Sequence, residues 1–232
     1  GPLHLMCWGS KDTCVTTNNT HDIGSAPGEI ENLMPLELPT GCSNVTDVSC
    51  SPLETHCCML CGGGQVFCWG QSSDGAYGGG GSYAFGVYGC TAQRPMVPFQ
   101  GPTGYTAKAV VTGGKNTCVI FSDDTVACVG KSNVGQCGTG TTGSGGTIGR
   151  SNTQVGDNMI KAVLDSGSST VTQIQPMYQH GCAMLTNGDV KCFGGSNSGQ
   201  LGLERSQAIG FSAATTGDNI PKLLLGNDTA CT

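Results

Sequence analysis

One passage, written three times, constrains this chain more than any other feature. It reads CMLCGGGQVFCWGQSSDGAYG over Cys58–Gly78, CVIFSDDTVACVGKSNVGQCG over Cys118–Gly138 and CAMLTNGDVKCFGGSNSGQLG over Cys182–Gly202. The copies agree at both cysteines and at a glycine two residues after the second (Gly70, Gly130, Gly194). They agree again at Ser72, Ser132 and Ser196, at Gly75, Gly135 and Gly199, and at Gly78, Gly138 and Gly202. A degraded fourth copy opens the chain as Cys7-Trp8-Gly9. The second cysteines stand 60 and 64 residues apart, and Cys7 precedes Cys68 by 61. A period of this length means a propeller or a solenoid, in which each unit buries its faces only against its neighbours.

The geometry inside the unit follows from hairpin arithmetic. Facing residues of an antiparallel hairpin have a constant index sum, so each cysteine pair has a centre. The centres are Gly63, Asp123 and Asn187, within the turn-forming triplets GGG, SDD and TNG. Each pair therefore faces itself across a hairpin, close enough for a disulfide at a non-hydrogen-bonded position. The expected bonds are Cys58–Cys68, Cys118–Cys128 and Cys182–Cys192. A centre on a residue requires an odd-length loop, of the kind closed by a residue in the left-handed region. Cys118 and Ile120 share one strand face and Val119 and Phe121 the other; Cys182/Met184 and Ala183/Leu185 repeat this. Both faces are apolar, so each small sheet is expected to be covered on two sides, as stacked blades are.

The pattern H-x-C-x-x-L…G-x-V-x-C-F-G-x-S-N-x-G-Q-L-G resembles the repeat of the regulator of chromosome condensation family. His180, Asn197, Gln200 and Leu201 stand where that repeat carries them. The resemblance implies a β-propeller, usually of about seven blades. The cysteine-bearing form is similar to secreted or receptor-ectodomain relatives more than to the nuclear member. That member's activity, nucleotide exchange on a small GTPase, is not expected here, because an acidic, disulfide-rich chain would not meet that partner.

Composition enters at this point. Gly 39 with 11% charged residues suits a turn-rich all-β fold, and the length allows one or two domains. A net charge of −6 argues against nucleic acid or an anionic membrane as partner. No apolar run reaches transmembrane length. Fifteen cysteines in hairpin registration point to an oxidising compartment. Asn18, Asn44 and Asn227 open N-x-[ST] sequons, and three of them in such a chain point to a secreted or cell-surface glycoprotein.

In chain order, Leu3–Gly9 reads as a strand ending in Cys-Trp-Gly without the strand that should precede it. Leu33–Leu38, Pro95–Phe99, Met159–Leu164 and Ile220–Leu225 read as short first strands of units. Val48, Val110–Val111 and Val171–Ile174 then open the second strands. The reading is a single repeat-propeller domain over 1–232, about four disulfide-stapled blades of roughly 60 residues with long Gly-rich loops. Its units are 1–40, 41–100, 101–160 and 161–218, with 219–232 starting a further or closing unit.

Several features imitate active sites. His56, Asn116 and His180 share one repeat column, and successive blades hold them too far apart for a zinc site, which makes them blade hydrogen-bonding residues. Cys58-Met59-Leu60-Cys61 matches C-x-x-C, yet Cys58 is already matched with Cys68, so Cys57 and Cys61 are assigned to local disulfides. Asp123-Asp124 is a turn rather than a calcium site. No Ser/His/Asp order, paired carboxylates or phosphate loop stands out, so no enzyme, metal or cofactor is expected. The pairing of Cys14, Cys42, Cys50, Cys57, Cys61, Cys90 and Cys137 stays open, and Cys7 and Cys231 are a candidate pair.

The most unusual insert runs from Tyr77 to Tyr105 and holds a glycine run with Tyr83, Phe85 and Tyr88. It reads either as a surface loop pinned by Cys90 or as a recognition loop, since tyrosines beside flexible glycines offer adaptable contact area. The functional expectation is a non-enzymatic secreted glycoprotein module for protein–protein interaction or extracellular assembly. A carbohydrate-binding propeller and a fragment of a larger receptor ectodomain are the alternatives. The expected partners are an extracellular protein or glycan, not nucleic acid or a membrane interior. The N-terminal strand lacking its partner and the C-terminal segment beginning a new unit leave two readings: the ends meet within one molecule and close a ring of about four blades, with Cys7 near Cys231, or they pair head-to-tail between chains.

Overall fold

In the computed structural model, residues 5–9, 22–33, 35–53, 56–70, 74–80 and 96–224 are described. They form an all-β array with no α-helix among them. The first sheet holds β1 (Val45–Cys50), β2 (His56–Cys61), β3 (Val66–Gly70) and β4 (Val97–Pro98) in sequence order. The second holds β5 (Ala107–Thr112), β6 (Asn116–Phe121), β7 (Val126–Lys131) and β8 (Thr147–Ile148). The third holds β9 (Val171–Pro176), β10 (His180–Leu185) and β11 (Val190–Gly194). We refer to these three antiparallel sheets as blades 1, 2 and 3.

The repeated cysteines face one another in register, Cys58 on Cys68, Cys118 on Cys128 and Cys182 on Cys192. Each pair is a disulfide with Cα atoms 4.0, 4.1 and 4.1 Å apart. The hairpin loops have three residues, and the third carries the positive φ: 77° at Gly64, 63° at Asp124 and 85° at Gly188. Asp124 tolerates this region better than most side chains do. Its amide closes the turn on the Phe121 carbonyl at 2.9 Å.

The fourth, outermost strand corrects the chain-order reading. Ala162 donates its amide to the Val126 carbonyl at 2.8 Å, and Leu223 donates to Val190 at 2.7 Å. Phe99 does the same to Val66 at 2.9 Å, and Leu36 to Leu5 at 2.8 Å. The segments expected to open each unit therefore close the preceding sheet. Their apolar alternation is that of an edge strand half-covered by the next blade, and sequence pattern alone does not say on which sheet a short strand lands. Leu223 accordingly completes blade 3 instead of beginning a new unit; residues 225–232 lie outside the described residues.

The chain start is the outer half of a further blade. Gly9 has φ 118°, beside 106°, 108° and 106° at Gly70, Gly130 and Gly194. It bridges Ile23 as Gly130 bridges Ile148 and Gly194 bridges Ile209. A Cβ on Gly130 would come within 2.3 Å of the Lys115 carbonyl oxygen, and one on Gly194 within 2.4 Å of the Gln179 oxygen, both from the hairpin loop of their own blade. A Cβ on Gly9 would meet nothing within 4 Å. Among the described residues, strands one and two of this first blade are absent, and Leu5–Gly9 and Leu36 supply strands three and four.

The cores lie between blades. One cluster joins Cys58, Leu60 and Val66 of blade 1 to Val110, Val119 and Phe121 of blade 2. A second joins Cys118, Ile120 and Val126 to Ile174, Ala183 and Leu185 of blade 3. A third joins Cys7 and Leu5 to Cys57, Met59 and Phe67 of blade 1. The first strand of each blade packs on the first two strands of the blade before it, β5 on β1 and β2, β9 on β5 and β6.

Candidate interaction surface

The shared motif residues are spent on building the blade. Gln136 and Gln200 turn their side-chain oxygens back onto the amides of Val134 and Ser198, at 3.0 and 2.9 Å. Consecutive tight turns follow, with Gly135 on Ser132, Gly138 on Gly135, and likewise Gly199 on Ser196 and Gly202 on Gly199. Leu201, Cys137 and Tyr77 occupy one column and are all buried. Cys137 is thus a core side chain with a free thiol, and burial pushes its pKa up to about 12. Cys7 is the other free thiol among the described residues, pushed up to about 11 by burial.

The remaining cysteines of blade 1 form Cys42–Cys61 and Cys50–Cys57. Cys14, Cys90 and Cys231 lie outside the described residues, as do Asn18, Asn227, Tyr83, Phe85 and Tyr88. Asn44 is exposed immediately before β1. Tyr77 is 5% exposed and stacks at a tilt on His56, ring centroids 6.2 Å apart, so it is a core residue and not part of an exposed recognition loop. Tyr105 does face solvent; it rests edge-on against Phe121, under the Lys161 ammonium at 4.6 Å.

The column of His56, Asn116 and His180 sits between blades. His56 is fully buried, with Nε2 2.9 Å from the Thr117 hydroxyl of blade 2. Burial pushes its pKa down from 6.5 to about 4, opposed by a hydrogen bond to the Asn116 backbone. His180, at the corresponding place in blade 3, is half-buried, and burial lowers its pKa to a lesser degree. Asn116 faces blade 3, where Gly181 replaces Thr117 and offers no side chain. Lys191 is a buried charge that sequence reasoning missed, because its column holds Phe67 and Ala127 in the other blades. Its ammonium reaches Asp165 at 3.2 Å and the carbonyls of Leu164 and Gly217 at 2.8 and 3.3 Å.

Three loops that each join a first strand to a second converge at one rim. A Cβ on Gly114 of blade 2 would lie 3.0 Å from both the Leu53 side chain of blade 1 and Tyr178 of blade 3. The Ser51 hydroxyl donates to the Gly114 carbonyl at 3.0 Å and ties blade 1 to blade 2 there. Leu53, Met177 and Tyr178 are exposed at 46%, 39% and 44%. Glycine at 114 lets the two neighbouring loops close over it, which brings Leu53 and Tyr178 to one point, with Met177 next to Tyr178 in the chain. The repeat alignment holds no signal for them, since the three loops share no sequence. Among the described residues no group of three or more His, Cys, Asp or Glu side chains forms a metal-binding cluster.

Residues 178–200, which span β10, β11 and the turn after them, match the Regulator of chromosome condensation (RCC1) repeat. The match covers one of the three repeats. The fold of the chain is similar to human WBSCR16, at 14% identity and a TM-score of 0.60, over 95% of this chain and 48% of that one. It is similar to Prp20p of Saccharomyces cerevisiae at 16% identity and 0.60, over 93% and 47%. Yeast RCC1 (Prp20) bound to Kap60 gives 17% and 0.59, over 88% and 44%. The chain spans about half the length of these solved structures. No curated protein matches it in sequence.

Proposed function

We propose that this RCC1-like array is a non-enzymatic interaction module whose partner is an extracellular protein, docked on the rim of Leu53, Met177 and Tyr178. The single observation that carries this reading is the convergence of exposed Leu53 and Tyr178 from two loops over Gly114, with exposed Met177 next to Tyr178 in the chain. Apolar and aromatic anchors in one patch are what a protein partner desolvates. Yeast RCC1 (Prp20) is bound to Kap60 in one solved neighbour, and Prp20p binds Gsp1p and histones, which supports the use of this architecture as a binding platform. Five disulfides among the described residues, with the exposed sequon at Asn44, support an oxidising, glycosylating compartment. On this reading the whole chain is one repeat-propeller domain.

The test is photo-crosslinking from position 53 and from position 178 on secreted material, with position 108 on the opposite turn end as control. One partner protein captured from both rim positions and not from 108 is expected. Crosslinks only to glycan would replace the reading with a lectin. Intact mass before and after deglycosylation decides the Asn44 glycan.

A further inference from the structure

The junction of blades 1 and 2 and the junction of blades 2 and 3 use the same three columns and fill them differently. At the first junction every column holds a side-chain hydrogen bond. The Thr112 amide donates to the Ser49 hydroxyl oxygen at 2.9 Å, and the two hydroxyls stand 3.1 Å apart. The Ser51 hydroxyl donates to the Gly114 carbonyl at 3.0 Å. The His56 Nε2 lies 2.9 Å from the Thr117 hydroxyl. The strand registers put Val111 and Pro176 in the columns of Ser49 and Thr112, and Asn116 and Gly181 in those of His56 and Thr117. Gly113 takes the place of Ser51, since each donates its amide to the carbonyl that opens the second strand, of Asn116 and His56 respectively.

At the second junction the first column is apolar on both sides, with Val111 and Pro176, so no polar side-chain atom is stranded there. The second column loses its hydroxyl to Gly113. The third is lopsided. Gly181 brings no side chain, yet Asn116 keeps an amide and is 0% exposed. Among the described residues neither Oδ1 nor Nδ2 of Asn116 has a hydrogen-bond partner. A buried amide left unmatched carries its full desolvation cost, so a group outside the protein side chains has to match it. A Cβ on Gly113 would collide with Asn116 Oδ1 and lie 3.0 Å from the Met177 carbonyl oxygen of blade 3. Two acceptor oxygens, one from each blade, thus face the same spot beside a glycine. We infer that one water molecule is built into the junction of blades 2 and 3. It donates to Asn116 Oδ1 and to the Met177 carbonyl and accepts from Asn116 Nδ2, three bonds being what an internal water makes. It does for Asn116 what the Thr117 hydroxyl does for His56. Met177 precedes Tyr178, so this water moors the rim loop of blade 3 on blade 2, where the loop of blade 1 is tied directly by Ser51. The site does not rest on what docks at the rim, so its failure leaves the proposed function standing.

The test reads the Asn116 side-chain amide protons by NMR on the full wild-type chain, assigned by triple-resonance spectra. The expected result is a nuclear Overhauser cross-peak to water, of the sign that marks a bound water and not a passing one. The exposed amide of Asn197 should show no such peak. Neither readout needs a variant to fold. Oxygen-17 relaxation dispersion counts long-lived internal waters independently, and Asn116→Leu should hold one fewer than wild type. A scalar coupling from Asn116 Nδ2 to the Met177 carbonyl carbon, with no water cross-peak, would overturn the inference and give a direct amide–carbonyl bond between the blades. Solvent exchange of the Asn116 amide as fast as that of Asn197 would overturn it too, because the group would then face bulk water. So would an unchanged water count in folded Asn116→Leu.

Discussion

Blade 2 and blade 3 are built from the same repeat yet differ in what surrounds them. Blade 2 has a blade on each side, and every residue of β6 is buried. Blade 3 has one neighbouring blade among the described residues, and β10 alternates, with Gly181, Ala183 and Leu185 buried and His180, Cys182 and Met184 open to varying degrees. The difference shows that burial in a repeat array belongs to the junction and not to the unit, as expected where cores lie between nearest neighbours.

The largest expected effect tests that contrast directly. Ile120→Asp places a charge between blades 2 and 3 and should cost about 4 kcal/mol or more, enough to unfold much of the chain. Met184→Asp in the same column should cost under about 1 kcal/mol. Urea denaturation of the two variants decides it, and equal losses would break the comparison.

Next in size is the response to acid. The folded pKa of His56 lies below its unfolded value, so above pH 6.5 both states are neutral there and its contribution is complete. As pH falls from 6.5 toward 4, the unfolded chain takes up a proton that the folded chain refuses, and stability should drop by about 3 kcal/mol. His56→Asn, which copies the residue of blade 2, should remove most of that slope. The half-buried His180 of blade 3 should add a smaller one of the same sign. Melting temperatures from pH 7.5 to 4.5 measure both, and a slope unchanged by His56→Asn would assign the effect elsewhere.

The disulfides should separate the blades more gently. Each closes a loop with a sequence separation of 10, so each should contribute about 2–3 kcal/mol through the unfolded state. Access differs: Cys118 and Cys128 are 1% and 0% exposed, whereas Cys182 is half-buried. Mild reductant with timed alkylation and peptide mapping should open Cys182–Cys192 first. Loss of Cys118–Cys128 first would contradict the junction argument.

The smallest effect concerns the turn ends. Lys161 pairs with Asp123 at 3.1 Å and covers Tyr105, while Lys222 in the same column pairs with Asp189 at 3.5 Å and lacks a ring. Lys161→Ala should cost up to about 1 kcal/mol and Lys222→Ala nearly nothing, because exposed ion pairs are weak and the cation–π contact adds a little. Thermal melts at low and high salt would show the difference.

The sequence by itself determined whatever lies within one hairpin. The index sum of two cysteines and a turn triplet is a local constraint, so the facing of Cys118 with Cys128 and the three-residue loop ending at Asp124 could be read from spacing alone. The glycines of the S-N-x-G-Q-x-G turn were equally legible, because a positive φ restricts residue type wherever the turn occurs. Tertiary structure decided the rest. It set Ala162 and Leu223 on the edges of the sheets before them, since a short apolar strand carries no label for its partner. It buried Tyr77 and left Tyr105 out, although both bound the same insert. Above all it brought Leu53 and Tyr178, 125 residues apart, over one glycine. Those facts depend on which blade stands beside which, and no single repeat contains that information.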